Sequence, residues 1–581
     1  MAESNGSKKG LGQPPEQMST ETRLLIAFLL MGAILFVSQY FYKPATPPPD
    51  GKKSTQSAQT GGSGPTPAEA PATVAPPPEE TAAVGKAPTA PVVNAQAEPK
   101  LVVNTDLFQV TFSNQGANVR AWLLKKSLAE GKPLDLVNTA ATGDDPYPFD
   151  VYMADRKALA KKLNSALYRQ TTDPDGLGVT YEYSDGHATA RKTFRFQKNS
   201  YLIQVTSEVA TDGQPVPHMI EWRAGFGDFT LDAAATKQQI IYYDLTANKL
   251  REYSASTAKN GPVTNNGNFS FAGIEDAYFT AVFLPEGNAS MQETTFSDTT
   301  PTPFTDKPAP FVGAALSMGA VNHFEVFIGP KDYDLLKRVN PKLEQVVNFG
   351  FMSLLAKPLF LIVNWFNDNA VHNFGWAIVV VTIVINFVLF PLKLSNMKSM
   401  RKMQALKPQI DAINGKYKNI KMTDPRKGEQ NQEVMDLYKK HGVNPMGGCV
   451  PMLLQIPFFF AFYAVIRVSV EMRGANWLWI HDLSQPEVAA IKILPIIMIV
   501  SQFMMQKMTP QANVDPSQQK MMQFMPLIFG FMFYRFASGL VLYYLTSNLV
   551  GIGQQWFFNH TEAATEAARS VEPPKKKIGR K

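Results

Sequence analysis

Long apolar stretches in the last third of the chain constrain its fold more than any other feature. Four of them follow one another there, namely Phe374–Leu392, Val450–Ile466, Ile493–Met505 and Met521–Phe558, and Leu24–Tyr42 stands alone near the N-terminus. A helix needs about 20 residues to cross a hydrocarbon core about 30 Å thick, so the last stretch is long enough for two crossings, divided at Arg535–Gly539. Spans in lipid must satisfy their own backbone hydrogen bonds. The pattern therefore predicts a polytopic membrane protein with six transmembrane helices.

The distribution of Lys and Arg predicts the orientation, because these residues accumulate in cytoplasmic loops. The loop between the second and third spans is rich in Lys and Arg, and the chain ends in KKKIGRK. In residues 471–490, by contrast, Arg473 is the only basic residue. Both termini are therefore predicted to be cytoplasmic and residues 43–371 to be periplasmic. The first span runs into Tyr40–Tyr42 rather than a small-residue cleavage site, which favours an uncleaved anchor over a cleaved signal peptide.

The segment before the second span divides into a tether and a folded domain. Residues 43–97 are dominated by Pro, Ala, Thr, Gly and Ser, a composition typical of an extended linker. From Leu101 onward, short alternating runs separated by turn signals predict an antiparallel β-sandwich. Its His and Asp residues are scattered, which favours a structural or interaction domain over a ligand groove. Cys449 is the sole cysteine, so no internal disulfide forms, and no Cys/His pattern predicts a metal or cofactor.

The predicted fold class is a polytopic α-helical membrane protein with a large periplasmic antiparallel β-sandwich domain and a five-helix core. The predicted segments are the cytoplasmic N-terminus (1–23), transmembrane helix 1 (24–42), the tether (43–97), the β-sandwich domain (98–330), an amphipathic interfacial helix (331–371), transmembrane helix 2 (372–392), a cytoplasmic helical hairpin (393–447), transmembrane helix 3 (448–470), a periplasmic loop (471–490), transmembrane helix 4 (491–507), a cytoplasmic loop (508–519), transmembrane helices 5 (520–537) and 6 (538–558), and a basic cytoplasmic tail (559–581).

Polar side chains inside the spans are the candidate functional residues, because an amide in hydrocarbon is costly unless it faces protein or water. Thr382 and Asn386 are four residues apart and share one helix face. Other spans contribute Gln455, Gln502, Tyr544 and Asn548. Two interpretations stay open, interhelical hydrogen bonding and a hydrophilic cavity, and the presence of stripes on several helices favours the cavity. Methionines in the fourth and fifth spans either fill gaps or form an adaptable apolar surface.

Four stretches carry a resemblance to a known family. They are Asn444–Pro457 (NPMGGCVPMLLQIP), Trp479–Leu483 (WIHDL), Gln506–Pro510 (QKMTP) and Ser538–Asn548 (SGLVLYYLTSN). These stretches resemble the YidC family of bacterial membrane protein insertases, which includes the mitochondrial and chloroplast inner-membrane insertases. The likeness covers the whole chain, although the β-sandwich domain is matched only by its position in the chain and by its pattern of short alternating runs.

The resemblance implies an insertase and chaperone for nascent inner-membrane proteins, with no catalytic residues and no nucleotide hydrolysis. A hydrophilic groove, open to cytoplasm and lipid, would receive the polar part of a client at Thr382, Asn386, Gln455, Gln502, Tyr544 and Asn548. The hydrophobic part would slide against the third and fifth spans, at Phe459, Phe460, Tyr463, Met525 and Met532. Implied partners are nascent membrane proteins, the translating ribosome through the hairpin and basic tail, a Sec-type translocon and membrane lipids.

One departure from the family concerns charge. The family's groove arginine falls at Asn386 here, so the sequence predicts a polar groove without a fixed positive charge. Arg467 and Arg535 do not replace it, since both fall at the outer ends of their spans and are expected to snorkel. Two other functions stay open, a secondary transporter, which should show inverted repeats, and a membrane-anchored periplasmic carbohydrate-binding protein.

Overall fold

The computed structural model describes residues 90–571, except 130, 142–145, 230–237, 288, 303–304, 418–423, 425, 443–449 and 510–515. The predicted N-terminus, the anchor helix at 24–42 and most of the tether lie outside the described residues. So do Cys449 and the chain beyond Val571.

Alternating burial along short segments produces the β domain. In β2 the sequence FQVTFS places Phe108, Val110 and Phe112 in the core and leaves the intervening residues partly exposed, which is the two-residue period of a strand. The strands are β1 (Leu101–Asn104), β2 (Phe108–Ser113), β3 (Asn118–Ala129), β4 (Lys132–Asp135), β5 (Asp150–Tyr152), β6 (Arg169–Thr172), β7 (Gly178–Ser184), β8 (Ala188–Arg195), β9 (Leu202–Thr211), β10 (Gln214–Pro215), β11 (Met219–Trp222), β12 (Gln239–Asp244), β13 (Lys249–Ser254), β14 (Val263–Gly267), β15 (Phe269–Glu275), β16 (Phe279–Pro285), β17 (Met291–Thr302), β18 (Thr305–Ser317) and β19 (Val321–Pro330).

The strands form three sheets. The largest has the order β13-β12-β15-β16-β19-β9-β8-β7-β6, with β10 paired to β9; the second is β14-β17-β18-β11-β5 and the third is β1-β2-β3-β4. Every pairing between these strands is antiparallel, so the predicted antiparallel β domain is confirmed. β16 is buried at almost every position because it lies in the middle of the largest sheet with both faces covered.

Helices follow the β domain. One short helix, α1 (Lys157–Ser165), lies within the β domain, and the others are α2 (Tyr333–Val339), α3 (Ser353–Phe366), α4 (Phe374–Val388), α5 (Phe390–Ala405), α6 (Lys407–Lys416), α7 (Arg426–Lys440), α8 (Val450–Val468), α9 (Ile493–Met508), α10 (Pro516–Phe533) and α11 (Ser538–Val571). The last of these is 34 residues long. The segment predicted as one interfacial helix, 331–371, is divided between α2, short 3-10 turns, α3 and a terminal π-helical turn.

A sharp bend separates α3 from α4. His372 takes a left-handed conformation with φ 50°, and the Asn373 side chain then accepts a hydrogen bond from the Trp376 N–H, which begins α4. Within the described ranges no single helix is long and apolar enough to cross a membrane alone. The segments 350–371 and Phe374–Val388 meet that requirement together, with a bend of 115° between them.

The hairpin has a small apolar core of its own. In the sequence, Met403, Leu406 and Ile410 recur at steps of three and four residues, which predicts one apolar helix face. In the structure they lie on α5, α6 and the turn between them, and they pack with Tyr438 of α7. This cluster is separate from the main core of the protein, which runs from the β domain into the helices that follow it.

A buried ion pair connects the β domain to the loop between α8 and α9. Arg473 donates from Nη1 to Asp228 Oδ2 at 2.6 Å and from Nη2 to Oδ1 at 3.1 Å. Its guanidinium also lies over the rings of Tyr278 and Phe279, with 5.2 and 5.1 Å to their centroids. The β domain is therefore attached to the end of the helical core where α8 joins α9, by a bidentate, largely desolvated contact.

Candidate functional site

Thr382 and Asn386 share one buried face of α4. The Thr382 hydroxyl donates a hydrogen bond to the Ile378 carbonyl at 2.6 Å, and Asn386 donates from Nδ2 to the Thr382 carbonyl at 2.8 Å. Both side chains are almost fully buried, at 0% and 3% exposure. The Thr382 hydroxyl donor is thus satisfied within its own helix, while the Asn386 side chain also makes contacts with other parts of the core.

Asn386 meets α11 at two positions. Its Nδ2 donates to Ser547 Oγ at 3.4 Å, and Gln554 donates from Nε2 to the Asn386 carbonyl at 3.1 Å. Gln554 is not among the candidate residues that the sequence predicted. Within the described residues, Gln554 Oε1 is buried without a hydrogen-bond partner. An unpaired buried amide oxygen costs about 1–3 kcal/mol, so this position favours water.

Gln455 brings α8 into the same contact. Its Nε2 donates to the Tyr543 hydroxyl at 2.6 Å and lies 3.5 Å from Ser547 Oγ. Tyr544 is the predicted groove residue of this helix, but Tyr543, one position earlier, contacts Gln455. The Tyr544 ring instead packs on Phe533 of α10, with 4.9 Å between centroids.

Two further predicted residues lie between α9 and α11. Asn548 donates from Nδ2 to Ser501 Oγ at 3.0 Å, and Ser501 donates to the Met498 carbonyl at 2.7 Å. Gln502 is half-buried beside this pair, and among the described residues its Oε1 has no hydrogen-bond partner. Asn548 and Ser501 therefore form a second polar contact, distinct from the one around Asn386.

A lysine that the sequence predicted to belong to the cytoplasmic hairpin completes the contact around Asn386. Lys393, in the first turn of α5, donates from Nζ to Asn386 Oδ1 at 2.5 Å. Burial lowers the pKa of Lys393 from 10.5 to about 8, because the ammonium form loses solvation. The expectation that this region lacks a positive charge is corrected by this contact. We call Thr382, Asn386, Lys393, Gln455, Tyr543, Ser547 and Gln554 the polar cluster.

The residues predicted to form an apolar slide lie on α8 and α10. Phe459 packs against Phe533 of α10, with 5.8 Å between ring centroids, and Tyr463 lies 6.2 Å from Phe536. Phe460 is 5.4 Å from Phe459. Met525 is half-buried and Met532 is 40% exposed. The exposed side of α10 is strongly apolar, with Phe524, Leu527, Ile528 and Phe531 all more than half exposed.

Comparison with known proteins extends over nearly all of the chain. Residues 100–362 match the family described as the YidC periplasmic domain, and residues 365–565 match the family described as the 60Kd inner membrane protein. A membrane protein insertase YidC from Syntrophus aciditrophicus is 32% identical over 565 residues, covering 93% of this chain and 99% of the relative. The YidC of Wolinella succinogenes is 31% identical over 576 residues, covering 96% and 98%.

Solved structures of similar proteins give a weaker comparison. An active YidC insertase crystal structure is 22% identical, covers 80% of this chain and 93% of its own, and superimposes with a TM-score of 0.35. For YidC from Thermotoga maritima the identity is 17%, the coverage 80% and 99%, and the TM-score 0.29. The evidence for kinship therefore comes from the sequence relatives.

Proposed function

Because this chain belongs to the YidC family of membrane protein insertases, we propose that its polar cluster lines a hydrated groove through which a nascent membrane protein inserts its polar segment. The single observation that supports this is the convergence of amide, hydroxyl and ammonium groups from α4, α5, α8 and α11 around Asn386. A secondary transporter and an anchored carbohydrate-binding protein find no comparable support.

A polar segment that enters the membrane must cross a water-free distance. Each unsatisfied polar group costs several kcal/mol in hydrocarbon, and the hydrocarbon core is about 30 Å thick. A wet pocket in the cytoplasmic half shortens this distance and lowers the barrier. The buried amide oxygens of Gln554 and Gln502, which have no partner among the described residues, are acceptors for such water. The process then needs neither nucleotide hydrolysis nor a catalytic residue.

The proposed topology places both termini in the cytoplasm and the β domain in the periplasm, with six spans at 24–42, 372–392, 448–470, 491–507, 520–537 and 538–558. Asn386 then lies in the cytoplasmic half of the second span. The apolar part of a client would leave beside α8 and α10, where Phe459, Phe460, Tyr463, Met525 and Met532 form the slide. The groove is proposed to include the predicted residues Gln502, Tyr544 and Asn548 as well.

Proposed partners follow from the same orientation. The cytoplasmic hairpin, α5 to α7, and the basic tail would bind the translating ribosome, because ribosomal RNA attracts Lys and Arg. The anionic lipid surface attracts the same side chains. A Sec-type translocon would act beside this chain for clients with large periplasmic domains.

Substitutions at Asn386 test the groove. The full-length protein in liposomes would receive a single-span client with a polar tail, and tail protection from protease would be measured. We expect Asn386→Ser to insert the client and Asn386→Leu to insert it about tenfold more slowly, the effect of about 1.4 kcal/mol on the barrier. Thr546→Val is the control, because Thr546 is buried in α11 but its hydroxyl bonds to Leu542 of its own helix.

The alternative role of Asn386, as a hydrogen bond that holds helices together, predicts a different outcome. Asn386→Leu would then melt at a lower temperature in detergent, while its folded fraction inserted the client at the normal rate. Insertion by Asn386→Leu at the rate of Thr546→Val would remove Asn386 from the groove.

A further inference from the structure

A tight turn projects from the loop between α8 and α9. Trp477 and Ile480 close it with two reciprocal backbone hydrogen bonds, each N–H donating to the other residue's carbonyl at 2.8 Å. Leu478, the first residue at the tip, has a φ of 51°, a left-handed conformation that is unfavourable for leucine and is ordinarily adopted by Gly, Asn or Asp. The Leu478 side chain is also 64% exposed. The turn therefore holds a leucine outward in spite of backbone strain.

Tryptophan rings connect this turn to the first turn of α4. The centroid of the Trp479 ring lies 5.9 Å from that of Trp477, which lies 5.6 Å from that of Trp376 in α4. Asn373, which begins α4, also donates from its side chain to the Asn476 carbonyl at 2.9 Å. Tryptophan is enriched where a span meets the membrane surface, because its ring is apolar and its N–H is polar. The three rings match the composition of such a boundary.

A buried glutamate fixes the turn in place and brings further apolar residues close to it. Trp479 donates from Nε1 to Glu487 Oε1 at 3.0 Å, and Glu487 Oε2 accepts a backbone N–H in the first turn of α9 at 2.9 Å. The polar atom of Trp479 is thereby satisfied within the protein, while its ring remains partly exposed. Val488, the next residue after the glutamate, is 86% exposed, and the three apolar residues that follow it are exposed too. Apart from His481, the exposed side chains from the turn to Ile491 are apolar.

We propose that this turn is a membrane anchor, with Leu478 and Trp479 held in the lipid of the periplasmic leaflet and not in periplasmic water. The inference rests on the proposed topology and revises it, because the loop was predicted to be wholly periplasmic. Lipid is the occupant because the apolar surface continues into Trp376 of the second span, which lipid surrounds. Transfer of the leucine from water into lipid then offsets the backbone strain. Since Arg473 of the same loop binds Asp228, the anchor also fixes the height of the β domain above the membrane.

The test measures what surrounds residue 478 in the full-length protein in liposomes. Leu478→Cys carries a bimane label in a Cys449→Ser background, which removes the sole cysteine. Val321→Cys is the matched control, because Val321 is apolar, half-exposed and at the end of β19 remote from α2. Lipids with a doxyl group near the headgroup end of the acyl chain should quench the Leu478 label and leave the Val321 label unchanged. Iodide, present on both sides of the membrane, should quench the Leu478 label about fivefold less, because ions are excluded from hydrocarbon.

An unlabelled variant keeps the test decisive if the label disturbs the turn. Asn adopts the left-handed conformation more readily than Leu, so in water Leu478→Asn would relieve strain and raise the melting temperature. In lipid the same substitution should lower the melting temperature, because the amide loses its solvation. Equal iodide quenching of the two labels, or a melting temperature of Leu478→Asn in liposomes that is not lowered, would overturn the inference. Failure of the unmodified protein to insert a client would instead overturn the proposed function, so the two failures are distinguishable.

Discussion

The ion pair between Arg473 and Asp228 allows a quantitative prediction about how the β domain is held. Asp228→Asn would keep one acceptor for the guanidinium and remove the negative charge. The Asp228 side chain is fully buried and that of Arg473 is 10% exposed, so solvent cannot replace the lost charge. We expect the variant to loosen the β domain from the loop between α8 and α9.

The magnitude follows from the burial of the pair. Removing one partner of a buried ion pair costs about 3–5 kcal/mol, because the other charge is left uncompensated. Asp276 also attracts Arg473, and the Tyr278 and Phe279 rings lie beneath its guanidinium, so the lower end, about 3 kcal/mol, is expected. For a domain of this size, about 3 kcal/mol corresponds to a melting shift of roughly 6–12 °C.

The assay is thermal unfolding of the full-length protein in detergent, followed by tryptophan fluorescence. Asp175→Asn is the matched control, because Arg195 holds Asp175 in the same bidentate way, with 2.7 Å from Nη2 to Oδ2, but both side chains are more than two-fifths exposed. The control should melt with the unmodified protein. Asp228→Asn melting no lower than Asp175→Asn would refute the reasoning. The double variant Asp228→Asn with Arg473→Met should recover part of the loss, since neither charge is left alone.

Two further predictions concern a buried acid and a close helix contact. Glu293 is fully buried and accepts hydrogen bonds from Asn265 and Thr295, and burial raises its pKa to about 7. The folded protein therefore keeps a proton on Glu293 that the unfolded chain loses near pH 4.5. The free energy of unfolding is expected to fall as the pH rises from about 5 to about 7. Glu293→Gln should thus lose less melting temperature between pH 5 and pH 8 than the unmodified protein, and equal losses would count against this assignment. A Cβ at Gly375 would lie 2.3 Å from the Trp477 side chain, so Gly375→Ala should cost about 1–3 kcal/mol and lower the melting temperature. Gly553→Ala, where nothing lies within 4 Å, should instead raise it, and matching effects at the two positions would contradict the packing argument.

Local patterns predicted much of the fold. The two-residue alternation located strands such as β2, and the helical spacing of Met403, Leu406 and Ile410 anticipated the apolar core of the hairpin. The four-residue separation of Thr382 and Asn386 placed them on one face of α4, where their hydrogen bond is found. Each of these inferences needs only the geometry of one element or of adjacent elements.

The contacts between residues on different elements depend on tertiary distances, which the residue pattern of one element does not contain. Tyr543 and Tyr544 differ by about 100° around the helix axis, so an uncertainty of one position reverses which of them meets Gln455. Lys393 was predicted to belong to the cytoplasmic hairpin, because the second span was predicted to end at residue 392, whereas α5 begins at Phe390 and brings Lys393 to Asn386. Arg473 and Asp228 are 245 positions apart, and their pairing follows only from the folded β domain.

The length of α11 has a geometric consequence for everything that follows it. A helix of 34 residues extends about 51 Å, roughly 20 Å more than the hydrocarbon core. In the proposed orientation this excess projects into the cytoplasm as a stiff rod whose base is fixed by packing against α4, α8 and α9. Each residue added to or removed from the projecting part would turn the chain beyond Val571 by about 100° and move it by about 1.5 Å. The length of this helix therefore determines how far any fusion, fluorophore or binding segment attached at its end lies from the membrane, and in which direction around the helix axis it points.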